Sequence, residues 1–397
     1  MAESPRLTAC PACDGTELEL VATETAIPTN SCLLLESRDA AEGYPKGDMA
    51  LTFCRECGFL FNADFDPGLS EYSARYEETQ GYSARFVDFA RDLAKRWVEK
   101  YDLAGRTVLE IGCGSMGEFL QFMVDAGAGK AIGIDPALNV ERIDHPAAER
   151  FEWIPDFYSE SYTHLAADAV VCRHTLEHIS PVKDFMEMVR RSIGDRTETV
   201  VLFELPDVQR VLDEVAFWDV YYEHCSYFSL GSLARLFRST GFEVLHLELD
   251  YDDQYLVIEA RPSTVPAAGD PLPLEDDMAA LEAGAAHYRQ GYIDTLERWG
   301  AELAREREAG GRPVIWGAGS KGVSFLTNLG GGSIDYAVDI NPTKHGMFMA
   351  GTGQQIVGPE FLVDYQPTLV VAMNPIYIDE IRRDLDRLGV DARLVGV

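Results

Sequence analysis

Lysine and arginine are scarce in this chain: 34 basic residues face 66 acidic ones, for a net charge of −32 over 397 residues. That shortage excludes general nucleic-acid binding, which needs a basic surface to displace phosphate counterions. It also excludes docking on anionic lipid. It does not exclude a phosphate-bearing small molecule, because a local pocket can be positive on an acidic protein. Long apolar runs are missing too, and no window approaches the ~20 residues that a transmembrane helix needs. The first residues, MAESPRLTACPAC, lack the basic start and apolar stretch of a secretory signal. The expectation is a cytoplasmic protein whose eight cysteines stay reduced or bind metal rather than pair as disulfides. No fixed-period repeat is present.

The rest of the composition is ordinary, with 46% apolar and 25% charged residues. At roughly 100–200 residues per domain, the length suggests two to four domains. Three segments read differently. Residues 1–75 are loop-rich, with Cys, Gly, Pro and aromatic residues and little helical period. Residues 76–262 alternate helical runs, such as SARFVDFARDLAKRWVEKY (83–101), with short apolar runs: TVLEIGCG, AIGIDP, DAVVCRH and TVVLFELP. EVLHLELDY and QYLVIEARP close this segment as an antiparallel pair. A Pro- and Ala-rich linker, RPSTVPAAGDPLPLEDD (261–277), opens the third segment, 263–397. A helix is predicted over about 276–309, followed by a second α/β unit with strands at PVIW, DYAVDINP, TLVVAMNP and ARLVGV. Strands separated by helices predict an α/β protein with doubly wound parallel sheets.

Four thiols carry a metal signal. Cys10-Pro-Ala-Cys13 and Cys54-Arg-Glu-Cys57-Gly58 are two CxxC knuckles in a loop-rich segment, the ligand number of a tetrahedral structural zinc. The 40-residue gap between them requires an insertion to loop out. Four bound thiolates leave no open position, so such a zinc is structural.

VLEIGCGSMGEFL is a strand running through a glycine turn into a helix. Gly112, Gly114 and Gly117 fit a dinucleotide spacing, so a nicotinamide cofactor is a rival reading. Glu110 before the first glycine favours S-adenosylmethionine. Asp135 at the next strand end suits ribose hydroxyls, and Asp156 with Phe157 suits the adenine. CRHTLEHI (172–179) is a further strand end of the kind that completes such a site. His174, Glu177 and His178 also invite a metal reading at i, i+4 spacing, beside a role in substrate or cofactor contact.

FWDVYYEHCSYFSLGSL (217–233) sets Glu223 and His224 among aromatic residues beyond the strand TVVLFELP, near the cofactor crevice. A packed histidine on an aromatic edge is one reading. The other is a general base, His224, oriented by Glu223, with Tyr221 donating to an oxyanion. In the third segment, WGAGSKGVSFL places a glycine turn at a helix start suited to a diphosphate, with Lys321 and Lys344 as local positive charge. Asp339 keeps a dinucleotide site open as a rival.

Together these residues resemble a known family. The order is two CxxC knuckles, an ExGCG turn, Y-x-E-H before Y-F-S, GAxxKG, and D-x-x-P-T-K-x-G. It resembles the three-part C-methyltransferases of deoxysugar and antibiotic biosynthesis over essentially the whole chain. The resemblance implies a class I methyltransferase core flanked by an N-terminal zinc-binding lobe and a C-terminal Rossmann-like domain. It implies a nucleotide-linked 4-keto-deoxysugar acceptor methylated at carbon 3, and a monomer or weak homodimer. It places the catalytic pattern on Tyr221, Glu223 and His224, with His178 and His174 as further candidates. Cofactor contacts fall on the 110–117 turn, Asp135, Asp156 and Phe157, with Tyr76 and Arg173 added. Acceptor contacts fall on Tyr222, Lys321, Lys344 and Asn374. The chain departs from the family where His174 replaces an Asn, where DDQYLVIE (252–259) replaces a His-Gly-Gly-Ser-like run, and where MNPIY (373–377) replaces a Trp-Asn pattern. Those positions face the acceptor in the family, so the acceptor here can differ. Two rival functions follow: O- or N-methylation, and a nucleotide-sugar-binding scaffold with a vestigial site.

Overall fold

The computed structural model describes residues 6–70, 77, 79–265 and 268–397. Three sheets organise the chain. The N-terminal sheet contains β1 (Leu18–Pro28), β2 (Lys46–Cys54) and β3 (Leu60–Asn62). The central sheet contains β4 (Thr107–Ile111), β5 (Lys130–Ile134), β6 (Phe151–Ile154), β7 (Ala169–Arg173) and β8 (Val200–Pro206). The short β9 (Ser226–Tyr227) leaves the central region and pairs with β3, completing the N-terminal sheet as β1-β2-β3-β9. β10 (Phe242–Asp250) and β11 (Tyr255–Pro262) then complete the central one, as expected, as an antiparallel pair.

The central order is β6-β5-β4-β7-β8-β11-β10, parallel except for β11, which runs antiparallel to β8 and β10. This is the class I methyltransferase Rossmann-like arrangement. β4, β5 and β7 are short apolar runs because both faces are covered by helices. The helix Ala84–Lys100 is one cover. Ser83 Oγ caps it by accepting from Phe86 N (3.3 Å), and Phe86, Ala90, Leu93, Ala94 and Trp97 form its buried stripe.

The third sheet contains β12 (Pro313–Trp316), β13 (Tyr336–Val338), β14 (Gln355–Val357), β15 (Leu369–Ala372) and β16 (Arg393–Gly396). Its order, β14-β13-β12-β15-β16, is parallel throughout, a second Rossmann-like unit. The predicted long helix spans Met278–Glu308.

One apolar cluster runs through all three parts. It joins Val21, Phe53 and Leu60 of the N-terminal sheet, Phe217, Trp218 and Tyr222 of the central region, and Leu281, Tyr288 and Trp299 of the long helix, with Phe325 beyond it. Phe217 stacks on Phe325 at 5.8 Å, and Trp299 meets the same ring edge-on at 5.3 Å. The loop-rich reading of the first segment is corrected by β1 and β2, which are 11 and 9 residues long. Register shifts at Leu20/Ala22 and Glu24/Ile27 break the alternation that marks a strand in sequence.

If this shared cluster holds the parts together, Phe325→Ala costs about 3–5 kcal/mol. Denaturant unfolding should then show one destabilised transition and not the loss of the C-terminal unit alone.

Candidate functional site

The two knuckles converge. Cys10 Sγ lies 3.7 Å from Cys57 Sγ, and Cys13 Sγ lies 3.7 Å from Cys54 Sγ. All four sulfurs lie within 4.8 Å of one another, and none is in a disulfide. A tetrahedron with metal–sulfur bonds of ~2.3 Å has edges of about 3.8 Å, so the four thiols fit one metal ion. Ala12 N and Gly15 N donate to Cys10 Sγ and Cys13 Sγ (both 3.4 Å), which favours thiolate charge. Arg235 Nε anchors the second knuckle by donating to the Cys57 carbonyl (2.8 Å).

A cleft of about 900 Å³ lies outside the carboxyl ends of β4, β5, β7 and β8 and is closed on the far side by the end of β12. Glu110, Gly112, Gly114, Asp135, Phe157 and Arg173 line it. Gly112 has φ +71°, and a side chain there would run into Thr175, whose hydroxyl donates to the Gly112 carbonyl (3.2 Å). Asp135 closes the turn by accepting from Gly114 N (2.9 Å) and Ala137 N (2.7 Å). Burial pushes the Glu110 carboxyl up to about 8 despite Arg173 nearby, and its Oε2 has no hydrogen-bond partner among the described residues. Arg173 donates to Glu204 (2.7 Å) and lies 4.1 Å from the centroid of Phe119, while its Nη2 is buried without a partner among the described residues. Two orphaned groups of opposite character on one wall fit a zwitterionic ligand such as the methionine end of S-adenosylmethionine.

Two expected cofactor contacts lie elsewhere. Gly117 (φ +57°) starts the helix Glu118–Asp125, and its missing side chain makes room for Trp153; it does not line the cleft. Asp156 is exposed and off the cleft, holding the Tyr162 hydroxyl (2.5 Å) and Phe157 N (2.8 Å). The apolar ring of Phe157 does line the cleft and is 59% exposed. Tyr76 lies outside the described residues.

Tyr221, His224, His178, His174 and Glu177 form another part of the cleft wall. His224 is buried, with its ring 4.1 Å from that of Tyr221 and 4.7 Å from that of His178. Burial, with the positive charges of His178, His174 and Lys321, holds the His224 pKa well below the usual histidine range. Burial likewise pushes the Tyr221 phenol up, so it is a hydroxyl donor. His174 and His178 are not on one helix face: His174 sits just past β7 at φ +47°, and Leu176–His178 is a single tight turn.

Three expectations are corrected here. Glu223 does not act as the group that orients His224: its carboxylate accepts from Asn30 Nδ2 (3.4 Å), Ser31 N (3.3 Å) and Ser320 Oγ (2.9 Å), bridging the three parts of the chain. Tyr222 does not line the cleft; it is fully buried against Phe65, with its hydroxyl bonded to the Asp66 backbone. Lys321 and Lys344 line the cleft but supply little unbalanced charge, because Asp219 (2.9 Å) and Asp339 (3.2 Å) pair with them. Asp339 also accepts from Ala318 N (3.0 Å) within the glycine turn.

The three stretches that depart from the family resemblance meet on this cleft. His174 is joined there by Gln254 and Asn374, whose amides bond reciprocally across the central and C-terminal parts (3.1 and 2.9 Å). Sequence reasoning missed Glu204 and Asp219, and reached Gln254 and Tyr377 only as members of the stretches 252–259 and 373–377. For Glu204 a signal was present: a carboxylate at the end of the apolar run TVVLFELP.

Glu204 is the hub of a buried ion group. Burial alone would raise it, but Arg173 and His174 hold it down at about 2. His174 lies 2.9 Å from Glu204 and 3.7 Å from Glu177, and these carboxylates overcome burial and raise the imidazole to about 9. The imidazolium therefore contributes stability that is fully present below ~6.5 and lost as pH rises through about 9. Glu204 contributes stability that is present above ~4.3 and lost as pH falls toward 2. Thermal melting of wild type against His174→Asn should show an advantage on the order of 1–3 kcal/mol at pH 7 that shrinks above pH ~9.

Comparison with known proteins agrees with this geometry. Residues 82–247 match the family described as "Methyltransferase domain", and residues 281–392 match "C-methyltransferase C-terminal domain". The C-methyltransferase NovU of Streptomyces niveus is 27% identical over 380 residues, which is 90% of this chain and 88% of that protein. Among solved structures, the riboflavin-analogue dimethyltransferase RosA of Streptomyces davawensis is 21% identical, with a TM-score of 0.35. That match covers 45% of this chain and 56% of RosA. The 1,6-didemethyltoxoflavin-N1-methyltransferase of Burkholderia thailandensis is 16% identical, covering 46% and 82%, with a TM-score of 0.36. With both matched families in order along one chain and the cleft of a class I core beside them, the protein is an S-adenosylmethionine-dependent methyltransferase, similar along most of its length to the C-methyltransferase NovU.

Proposed function

We propose that the enzyme methylates a carbon next to a ketone on a small acceptor, a nucleotide-linked 4-keto-deoxysugar, with His224 as the base. The observation that carries this reading is that His224 and Tyr221 line the same cleft as Glu110, the Gly112–Gly114 turn and Asp135. A carbon beside a ketone is not nucleophilic until it loses a proton, so a base is required. Burial leaves His224 neutral with a lone pair at neutral pH. The Tyr221 hydroxyl supplies a donor, and the His174 imidazolium a nearby positive charge, for the enolate oxygen that forms as the proton leaves. Bound S-adenosylmethionine supplies the electrophilic methyl. The proton on His224 then returns to solvent.

Cys10, Cys13, Cys54 and Cys57 hold zinc in this reading, with a structural role because no ligand position stays open. The cofactor's ribose falls to Asp135, and its charged amino-acid end to Glu110 and Arg173. The acceptor spans the central and C-terminal parts, where Lys321, Lys344 and Asn374 line the cleft. The setting is cytoplasmic, and the chain acts as a monomer or weak homodimer.

His224→Ala should lower turnover on the order of 10²–10⁴-fold while S-adenosylmethionine affinity by calorimetry stays near wild type. With a methyl-labelled cofactor, NMR of the product should place the label on carbon; a label on oxygen or nitrogen favours the rival reaction and removes the need for a base. Stripping metal with a chelator should release one zinc per chain from the four-thiol site and lower the melting temperature, measured by metal analysis and calorimetry.

A further inference from the structure

Beyond the four thiols, a second group of metal-ligating side chains converges in the cleft. Glu177, His178 and His224 each offer a ligand atom, and these atoms lie within 4.8 Å of one another. All three residues line the cleft. We propose that Glu177, His178 and His224 form a binding site for one divalent transition-metal ion, separate from the four-thiol cluster.

Several observations support this placement. The donor set is two imidazoles and one carboxylate, which suits first-row ions such as Co²⁺, Zn²⁺ or Fe²⁺. Ligand bonds of ~2.0–2.2 Å need the donor atoms to move inward by less than about 1 Å. His178 Nδ1 pairs with the Glu223 carbonyl at 3.0 Å, which assigns the ligand role at this site to Nε2. That is the second contact typical of a ligating histidine. Glu177 is buried, and its Oε2 has no hydrogen-bond partner among the described residues, an orphan that a cation satisfies. Of the cations facing the group, Lys321 pairs with Asp219, and His174 lies closer to Glu204 (2.9 Å) than to Glu177 (3.7 Å). Three protein ligands beside an open cleft leave coordination positions for a ligand oxygen, unlike the closed four-thiol site.

Metal at this site takes the His224 lone pair, so a filled site blocks base catalysis. That consequence rests on the assignment of His224 under the proposed function; the binding itself does not.

The test is a Co²⁺ titration of the zinc-containing full-length enzyme, followed by visible spectroscopy and calorimetry. The site predicts one equivalent of Co²⁺ per chain with a d–d spectrum that lacks thiolate charge-transfer bands. Affinity should fall about tenfold or more in Glu177→Gln and in His178→Ala, with both variants retaining the zinc of the four-thiol site and a wild-type circular dichroism spectrum. No Co²⁺ bound beyond the thiols, or equal affinity in both variants, overturns the site and leaves the base assignment standing. Turnover decides the other point. Inhibition by bound Co²⁺ supports the site together with His224 as base, whereas stimulation supports the site and overturns that assignment.

Discussion

A buried carboxylate must be met by donors, and Glu223 meets its donors in different parts of the chain. Asn30 and Ser31 come from the N-terminal part and Ser320 from the C-terminal Rossmann-like unit, while Glu223 itself sits in the central region. Its backbone carbonyl takes His178 Nδ1. One residue thus ties the three parts together beside the cleft that lies among them. Removing any one of those donors leaves polar atoms unpaired in a dry interior, at about 1–3 kcal/mol each. β9 and the apolar cluster around Phe217 and Phe325 tie the same parts by pairing and packing.

The cleft handles charge by local compensation. Arg173 and His174 share Glu204, Arg210 and Lys321 share Asp219, and Lys344 has Asp339. Such a wall does not act as a general anion trap. It offers oriented donors and acceptors in a low-dielectric space, the arrangement that stabilises charge developing during a reaction.

One rim of the cleft is built on strained backbone. Gln254 follows Tyr251, Asp252 and Asp253, three successive non-glycine residues with φ of +56°, +55° and +57°. Such backbone costs energy and persists where the surroundings hold it. Here Tyr251 donates to Tyr377 (2.9 Å), Asp252 pairs with Arg85 (2.9 Å), and Gln254 pairs with Asn374. The turn between β10 and β11 is therefore locked to the C-terminal unit at the rim of the cleft.

Much of this protein was legible locally. The four-thiol cluster, the strand–glycine–helix turn at Glu110–Gly114 and the long helix near 276–309 each depend on residues whose spacing carries the constraint: ligand number, positive φ, helical period. The roles of Glu223, Tyr222, Asp156, Lys321 and Lys344 were not legible, because each is set by a partner far away in sequence. Glu223 was read as a neighbour of His224, yet its carboxylate reaches residues 193 and 97 positions away. The meeting of Glu177 and His178 with His224 likewise needs β7 and the segment after β8 to be folded against each other. Short-range pattern determined the fold type, the four-thiol cluster and the glycine turn after β4. The tertiary structure alone decided which charges are compensated and which side chains share the cleft, because burial and pairing are properties of the packed chain rather than of any local stretch.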